Sequence, residues 1–69
     1  MKGKNMTLTI KITMDNAAFE AEQSGPEAAR ILKQAAETIY FGNMGMKRGA
    51  RMLLRDLNGN IVGEARVTR

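Results

Sequence analysis

Residues 51–67, RMLLRDLNGNIVGEARV, carry the local signal that decides the fold. Asn58-Gly59 separates two runs rich in apolar residues, and this dipeptide is typical of a tight turn between antiparallel strands. The sequence therefore predicts a β-hairpin with strands over residues 51–57 and 60–67.

The register of this hairpin depends on the type of turn. A two-residue type I′ turn is favoured because it gathers the most apolar side chains on one face: Met52, Leu54, Ile61, Ala65 and Val67. A type I turn followed by a Gly bulge is the competing arrangement, and it shifts the pairing by one residue. Gly63 has no side chain, so we expect it to let another element, the helix, come close.

A further strand is predicted at residues 7–14, TLTIKITM, where apolar and polar residues alternate strictly. Leu8, Ile10, Ile12 and Met14 fall on one face, and Thr and Lys fall on the other. This period of two predicts a strand buried on one side. Residues 1–5 are expected to form a mobile tail.

A helix is predicted at residues 26–41, PEAARILKQAAETIYF. Its apolar residues recur at helical spacing: Ala28, Ile31, Leu32, Ala35 and Ile39. Ser24 or Gly25 is expected at the N-cap, and Pro26 suits the first helical position. Gly42 is a plausible C′ residue. Residues 42–50, GNMGMKRGA, are expected to be a flexible connection.

The order strand, helix, strand, strand predicts an α+β fold in two layers. One helix packs on a three-stranded antiparallel sheet, and residues 1–69 form a single domain. The sheet face away from the helix is expected to be open and polar.

The composition argues against several functional classes. The chain of 69 residues contains no Cys and no His, so it lacks the commonest metal ligands and the commonest general base. We therefore expect no enzymatic activity, no metal and no cofactor. The chain also lacks an apolar run of the ~20 residues that a membrane-spanning helix needs. The alternating N-terminus differs from a signal peptide, so we expect a cytoplasmic protein.

The net charge of +4 is concentrated in the C-terminal part of the chain. Residues 41–69 hold six basic and two acidic side chains. Five of the basic residues form the predicted partner-binding set: Lys47, Arg48, Arg51, Arg55 and Arg66. This set is either a solvated face or a surface that contacts phosphates or an acidic protein patch.

An acidic segment precedes the predicted helix, and we take three of its residues as a secondary contact: Asp15, Glu20 and Glu22. Carboxylates in such a segment are usually solvated. No spacing of acidic residues in the chain resembles a metal site.

Three stretches resemble small accessory proteins of phages, prophages and plasmids: TIKITMDNAAFE (9–20), AARIL (28–32) and LRDLNGNIVGEARV (54–67). The motifs that carry this resemblance are structural. The resemblance implies an inhibitor of bacterial defence, as anti-CRISPR proteins are. Many anti-CRISPR proteins mimic DNA with acidic surfaces, whereas this chain is basic, so simple DNA mimicry is not what the sequence predicts.

Two functions from different classes follow as hypotheses. The first is a phage or mobile-element protein in a bacterial host cell that blocks a host defence complex by stoichiometric binding and occlusion. The alternative is a small basic protein that binds nucleic acid with little sequence preference. A homodimer formed by pairing of an exposed strand edge is also possible.

Overall fold

The computed structural model describes residues 5–68, which form one α-helix, three strands and two short 3-10 helices, Ala17–Phe19 and Ala21–Gln23. Strand β1 (Thr7–Ile12) is followed by helix α1 (Ser24–Tyr40), strand β2 (Arg51–Arg55) and strand β3 (Ile61–Thr68). The predicted α+β fold is confirmed. The predicted mobile tail, residues 1–5, lies outside the described residues except for Asn5.

Both strand pairings are antiparallel, and the order in the sheet is β1-β3-β2. Strand β3 is the longest strand, and it lies in the middle, where it bonds to a neighbour on each side. Leu8 of β1 lies opposite Val67, while Met52 of β2 lies opposite Ala65. Strands β1 and β2 are therefore the two edges of the sheet.

The hairpin turn differs from the favoured two-residue arrangement. The Gly59 N–H donates to the Asp56 carbonyl at 3.0 Å, and the Asp56 N–H donates to the Asn60 carbonyl at 2.9 Å. Gly59 has a φ of 87°. This pattern matches the competing type I turn followed by a Gly bulge.

A second irregularity between Leu54 and Arg55 then restores the favoured register. Leu54 lies opposite Gly63, but Arg55 lies opposite Ile61, so Val62 is an extra residue in β3. The prediction that Ile61 faces inward is wrong, because this insertion turns Ile61 outward and buries Val62. The inward positions of Met52, Leu54, Ala65 and Val67 are as predicted.

The core lies between α1 and the sheet. Its main cluster joins residues from three parts of the chain: Phe19, Ile31, Ala35, Leu54 and Val62. A second cluster closes the other end of the sheet, where Met44 from the segment after α1 packs on Ala65 and Val67. The segment 42–50 thus contributes a buried side chain, although it contains neither helix nor strand.

The prediction that β1 buries its apolar face is wrong for most of that strand. The side chains of Leu8 and Ile10 share a face with the core, yet these residues are 43% and 37% exposed. Only Ile12 packs against the core. The reason is the position of α1, which packs against β2 and leaves the face of edge strand β1 uncovered. Strand β1 also ends at Ile12 rather than at residue 14.

The start of α1 also differs from the prediction. The helix begins at Ser24, and Gln23 occupies the cap position without a side-chain hydrogen bond. The Ser24 hydroxyl instead donates to the Phe19 carbonyl. This hydrogen bond connects α1 to the 3-10 helix Ala17–Phe19. Pro26 is therefore the third helical residue, where its missing N–H costs no hydrogen bond. Gly42 has the positive φ of 82° predicted for a C′ residue.

Two buried carboxylates fix the hairpin turn to the rest of the fold. Glu27 on α1 binds both the Nε and Nη2 atoms of Arg30 at 2.9 Å, and it accepts the Leu57 N–H at 2.8 Å. Asp56 accepts the N–H groups of Asn58 and Asn60, each at 2.8 Å, and the Asn16 side-chain amide at 2.7 Å. These bonds place the turn beside the N-terminal end of α1.

Gly63 allows a close approach, but the approaching element is β1 rather than the helix. A Cβ atom at this position would overlap the Lys11 carbonyl oxygen and would lie 2.9 Å from the Lys11 carbonyl carbon. Glycine at this position therefore permits the pairing of β1 with β3.

Candidate binding face

The sheet face opposite α1 is built by two rows of cross-strand neighbours. In the first row, Arg66 in the central strand lies between Thr9 on β1 and Arg51 on β2. In the second row, Glu64 lies between Lys11 and Leu53. Because side chains alternate along each strand, these six residues share one face.

Glu64 binds one arginine of this face and lies near another. The Arg66 Nη2 and Nε atoms bind one Glu64 oxygen at 2.6 and 3.0 Å, and the Arg51 Nη1 atom lies 3.9 Å from the other oxygen. The hydrogen bonds from Arg66 lower the pKa of Glu64 below its usual value of 4.5, and the charges of Arg51 and Lys11 add to this effect. Glu64 therefore remains ionised and orders the arginines near neutral pH.

Two adjoining depressions share Arg66. One is lined by Arg48, Arg51 and Arg66 with the end of β3, and the other by Thr9, Lys11, Glu64, Arg66 and Thr68. We call the four cations Lys11, Arg48, Arg51 and Arg66 the basic face. One carboxylate among four cations leaves this surface strongly positive, with threonine hydroxyls beside the cations.

Three members of the predicted basic set line one depression, and the other two do not line it. Arg48, Arg51 and Arg66 line one depression. The Arg55 side chain instead turns to the hairpin, where its Nη1 atom donates to the Gly59 carbonyl at 3.1 Å. Lys47 is exposed but lines none of the four depressions described on the molecule. The partner-binding role of Arg55 and Lys47 stays a prediction.

Lys11 belongs to the basic face but was not in the predicted set. The signal that could have found it is the alternation of β1, which places Lys11 on the outer side with Thr7 and Thr9. The predicted set was chosen from the C-terminal part of the chain, where the net charge lies, and Lys11 is in the N-terminal half.

Exposed apolar side chains adjoin the basic face. Leu53 and Ile61 line a third depression together with Lys11, Thr13 and Glu64. Ile61 is 54% exposed because the bulge at Val62 turns it outward. The outer face thus combines a cationic half with an apolar half.

The predicted acidic contact does not join this face. Asp15, Glu20 and Glu22 are exposed in the segment between β1 and α1, and they line none of the four depressions described. Two of the three aromatic side chains are also exposed, but they lie at the end of α1: Tyr40 and Phe41 contact each other edge to face at 5.0 Å.

Comparison with known proteins finds no matching family model, no matching curated protein and no matching solved structure. Within residues 5–68, no helix is long and apolar enough to cross a membrane. The same residues contain no group of three or more His, Cys, Asp or Glu side chains arranged to hold a metal ion.

Proposed function

We propose that this protein is a non-enzymatic binding protein that docks its outer sheet face onto an acidic surface of a protein or nucleoprotein complex. The observation that carries the proposal is the combination of the basic face with exposed Leu53 and Ile61 on one open side of the sheet. Protein interfaces combine an apolar centre with arginine and a polar rim in this way.

The chemistry of the basic face supports an anionic partner. Arginine presents a planar set of donors that bind a carboxylate or phosphate through two parallel hydrogen bonds. In the free protein, Arg51 and Arg66 share the single carboxylate of Glu64. An acidic partner would therefore meet an Arg66 side chain that Glu64 already positions, which lowers the entropy cost of docking.

The biological role that we propose follows from the resemblance to accessory proteins of phages and plasmids. The protein would bind a host defence complex in stoichiometric amounts and cover a surface that the complex needs. An effector that binds nucleic acid is a suitable target, because the defence complexes that anti-CRISPR proteins inhibit are of this kind. The basic charge fits an acidic part of such a complex rather than its DNA-binding groove.

Affinity capture with matched variants tests this proposal. Tagged wild type, Arg66→Gln and Lys33→Gln proteins are each incubated with a nuclease-treated lysate of a bacterial host. Lys33→Gln removes the same charge from the exposed surface of α1, away from the sheet. We expect a protein partner that wild type and Lys33→Gln retain and that Arg66→Gln loses. Equal recovery by all three proteins would contradict the assignment of the basic face.

Binding to bare nucleic acid is the second candidate, because the same four cations could contact phosphates. If about four phosphates are neutralised, log affinity for duplex DNA falls against log salt with a slope of roughly −3 to −4. Arg66→Gln then reduces this slope by about 1, while Lys33→Gln leaves it unchanged. A shallow slope that is equal for both variants would argue against phosphate contacts by the basic face.

A further inference from the structure

Strand β1 is an edge strand whose apolar side chains and free backbone groups belong to the same residues. The Thr13 N–H donates to the Val62 carbonyl at 2.7 Å, in register with the pairing of Lys11 with Glu64 and Thr9 with Arg66. In an antiparallel pair, alternate residues bond to the neighbouring strand. Thr13, Lys11 and Thr9 therefore bond to β3, and Leu8, Ile10 and Ile12 direct their N–H and C=O groups to the open edge.

Within residues 5–68, no other strand pairs with this edge, and its apolar face is covered only at Ile12. The backbone hydrogen bonds outside the helices and strands do not reach Leu8, Ile10 or Ile12. Leu8 and Ile10 are also more than one-third exposed, although they share a face with the core. Free edge strands usually carry a proline, a bulge or an inward-pointing charge that prevents pairing with another chain. Strand β1 has none of these three features, and its one charged residue, Lys11, lies on the outer face.

The opposite edge of the sheet, β2, is less suited to pairing. Helix α1 packs along β2, and Arg51 and Arg55 flank that strand. A bulge also interrupts the pairing of β2 with β3 at Arg55. The contrast between the two edges indicates that β1 is the edge suited to pairing.

We propose that two copies of the chain pair through β1 in an antiparallel arrangement and form a continuous six-stranded sheet. The register follows from two constraints. First, residues on the core side of one copy must lie opposite residues on the core side of the other, so Leu8, Ile10 and Ile12 can pair only with one another. The extended segment Thr7 to Thr13 is centred on Ile10, so Ile10 lies opposite Ile10 of the second copy, on the twofold axis.

This register is self-complementary, as a symmetric dimer requires. Leu8 of each copy lies opposite Ile12 of the other, and all three apolar residues fall in one row on the core side of the sheet. On the outer face, Lys11 lies opposite the neutral Thr9 of the second copy, so no like charges are directly opposed. The pairing thus brings the exposed Leu8 and Ile10 side chains of the two copies into lateral contact along one face of the sheet, which removes part of their surface from water.

The pairing would also join the two outer faces into one surface. Lys11 and Arg66 of each copy lie next to the dimer axis on the side away from the helices. The dimer does not depend on the proposed docking function, and a test of solution mass gives its result whatever the basic face binds.

Introduced cysteines test the register, because the chain contains no Cys of its own. Residues in a hydrogen-bonded antiparallel pair have Cα atoms about 5.5 Å apart, within the range for a disulfide. Ile10→Cys should therefore form an intermolecular disulfide rapidly under mild oxidation. Leu8→Cys is the control within the strand, since its two copies would be more than about 13 Å apart. Leu53→Cys places an exposed cysteine on β2, so its rate of disulfide formation measures cross-linking by random collision.

Solution mass provides the second measurement. We expect wild type to sediment as a dimer at high concentration and Ile10→Lys to remain a monomer, with unchanged circular dichroism. Leu53→Lys adds the same charge at another exposed strand position and should still dimerise. A monomeric wild type throughout the micromolar to millimolar range would overturn the proposal. Equal cross-linking of Ile10→Cys and Leu53→Cys, or faster cross-linking of Leu8→Cys, would also overturn it.

Discussion

The substitution Gly63→Ala tests the closest backbone contact in the sheet. A Cβ atom at residue 63 would overlap the Lys11 carbonyl oxygen and would lie 3.0 Å from the Ile12 Cα atom. These neighbours are backbone atoms, so no side-chain rotation can relieve the overlap. Strand β1 would have to move away from β3 where Ile12 enters the core.

The expected cost is large for a domain of this size. Overpacking of this kind typically costs about 1–3 kcal/mol. A domain of this length has a free energy of unfolding of only about 3–10 kcal/mol. Each lost kcal/mol should lower the melting temperature by roughly 4–8 °C. Gly63→Ala should therefore melt at a clearly lower temperature than wild type.

Urea unfolding followed by circular dichroism measures this effect at a fixed protein concentration. Gly45→Ala is the matched control, because a Cβ atom there meets nothing within 4 Å and its backbone needs no positive φ. We expect Gly45→Ala to be neutral or more stable by about 0.4–1 kcal/mol, as alanine restricts the unfolded chain. If Gly63→Ala is as stable as Gly45→Ala, the described pairing of β1 with β3 is incorrect.

Three further predictions concern the core, the turn and the basic face. Ile31→Ala should lower the free energy of unfolding by about 2–5 kcal/mol, because Ile31 is 2% exposed. Leu32→Ala should lower it much less, because Leu32 is 44% exposed. Equal losses of stability in urea unfolding would mean that α1 faces the sheet with a different side. Burial raises the pKa of Asp56, but the hydrogen bonds from Asn60, Asn16 and Asn58 together outweigh this effect and lower the pKa below 3.8. The stability from ionised Asp56 is therefore complete above pH 3.8 and is lost as pH falls through the lower folded value; Asp56→Asn should be less stable at neutral pH and should lose less on acidification, and an unchanged pH profile would contradict this. Glu64→Gln should loosen Arg66, and a ¹⁵N relaxation measurement should show faster motion of the Arg66 side chain than in wild type; unchanged motion would mean that Glu64 does not order the face.

The elements of the fold could be predicted because each has a strong local pattern. The alternation of TLTIKITM, the helical stripe around Ile31 and the turn at Asn58-Gly59 all reflect short-range geometry. These signals sufficed for the order of elements and the α+β class.

The placement of the elements could not be read in the same way, because it depends on the tertiary contacts. The periodicity of β1 indicates an apolar face at Leu8 and Ile10, but it does not say whether α1 reaches that face. The turn residues Asn58-Gly59 suit two registers, and the bulge at Val62 decides between them. The buried roles of Glu27 and Asp56 were also missed, since acidic residues near a helix start or a turn usually face solvent.

The candidate site was predicted in part for a related reason. Arg51 and Arg66 stand on adjacent strands of one hairpin, so the predicted register places them side by side. Lys11 comes from a distant part of the chain, and only the strand order β1-β3-β2 brings it next to Glu64. Arg55 is on the same strand as Arg51 with an even spacing, but its side chain bonds to the turn carbonyl of Gly59.

The most direct test of the docking surface is a ¹⁵N NMR titration of the protein with the purified partner recovered by affinity capture. We expect shifts centred on Lys11, Arg51 and Arg66, with the exposed surface of α1 around Lys33 unaffected. Shifts confined to α1, with the basic face unchanged, would contradict the assignment of the outer sheet face as the binding surface.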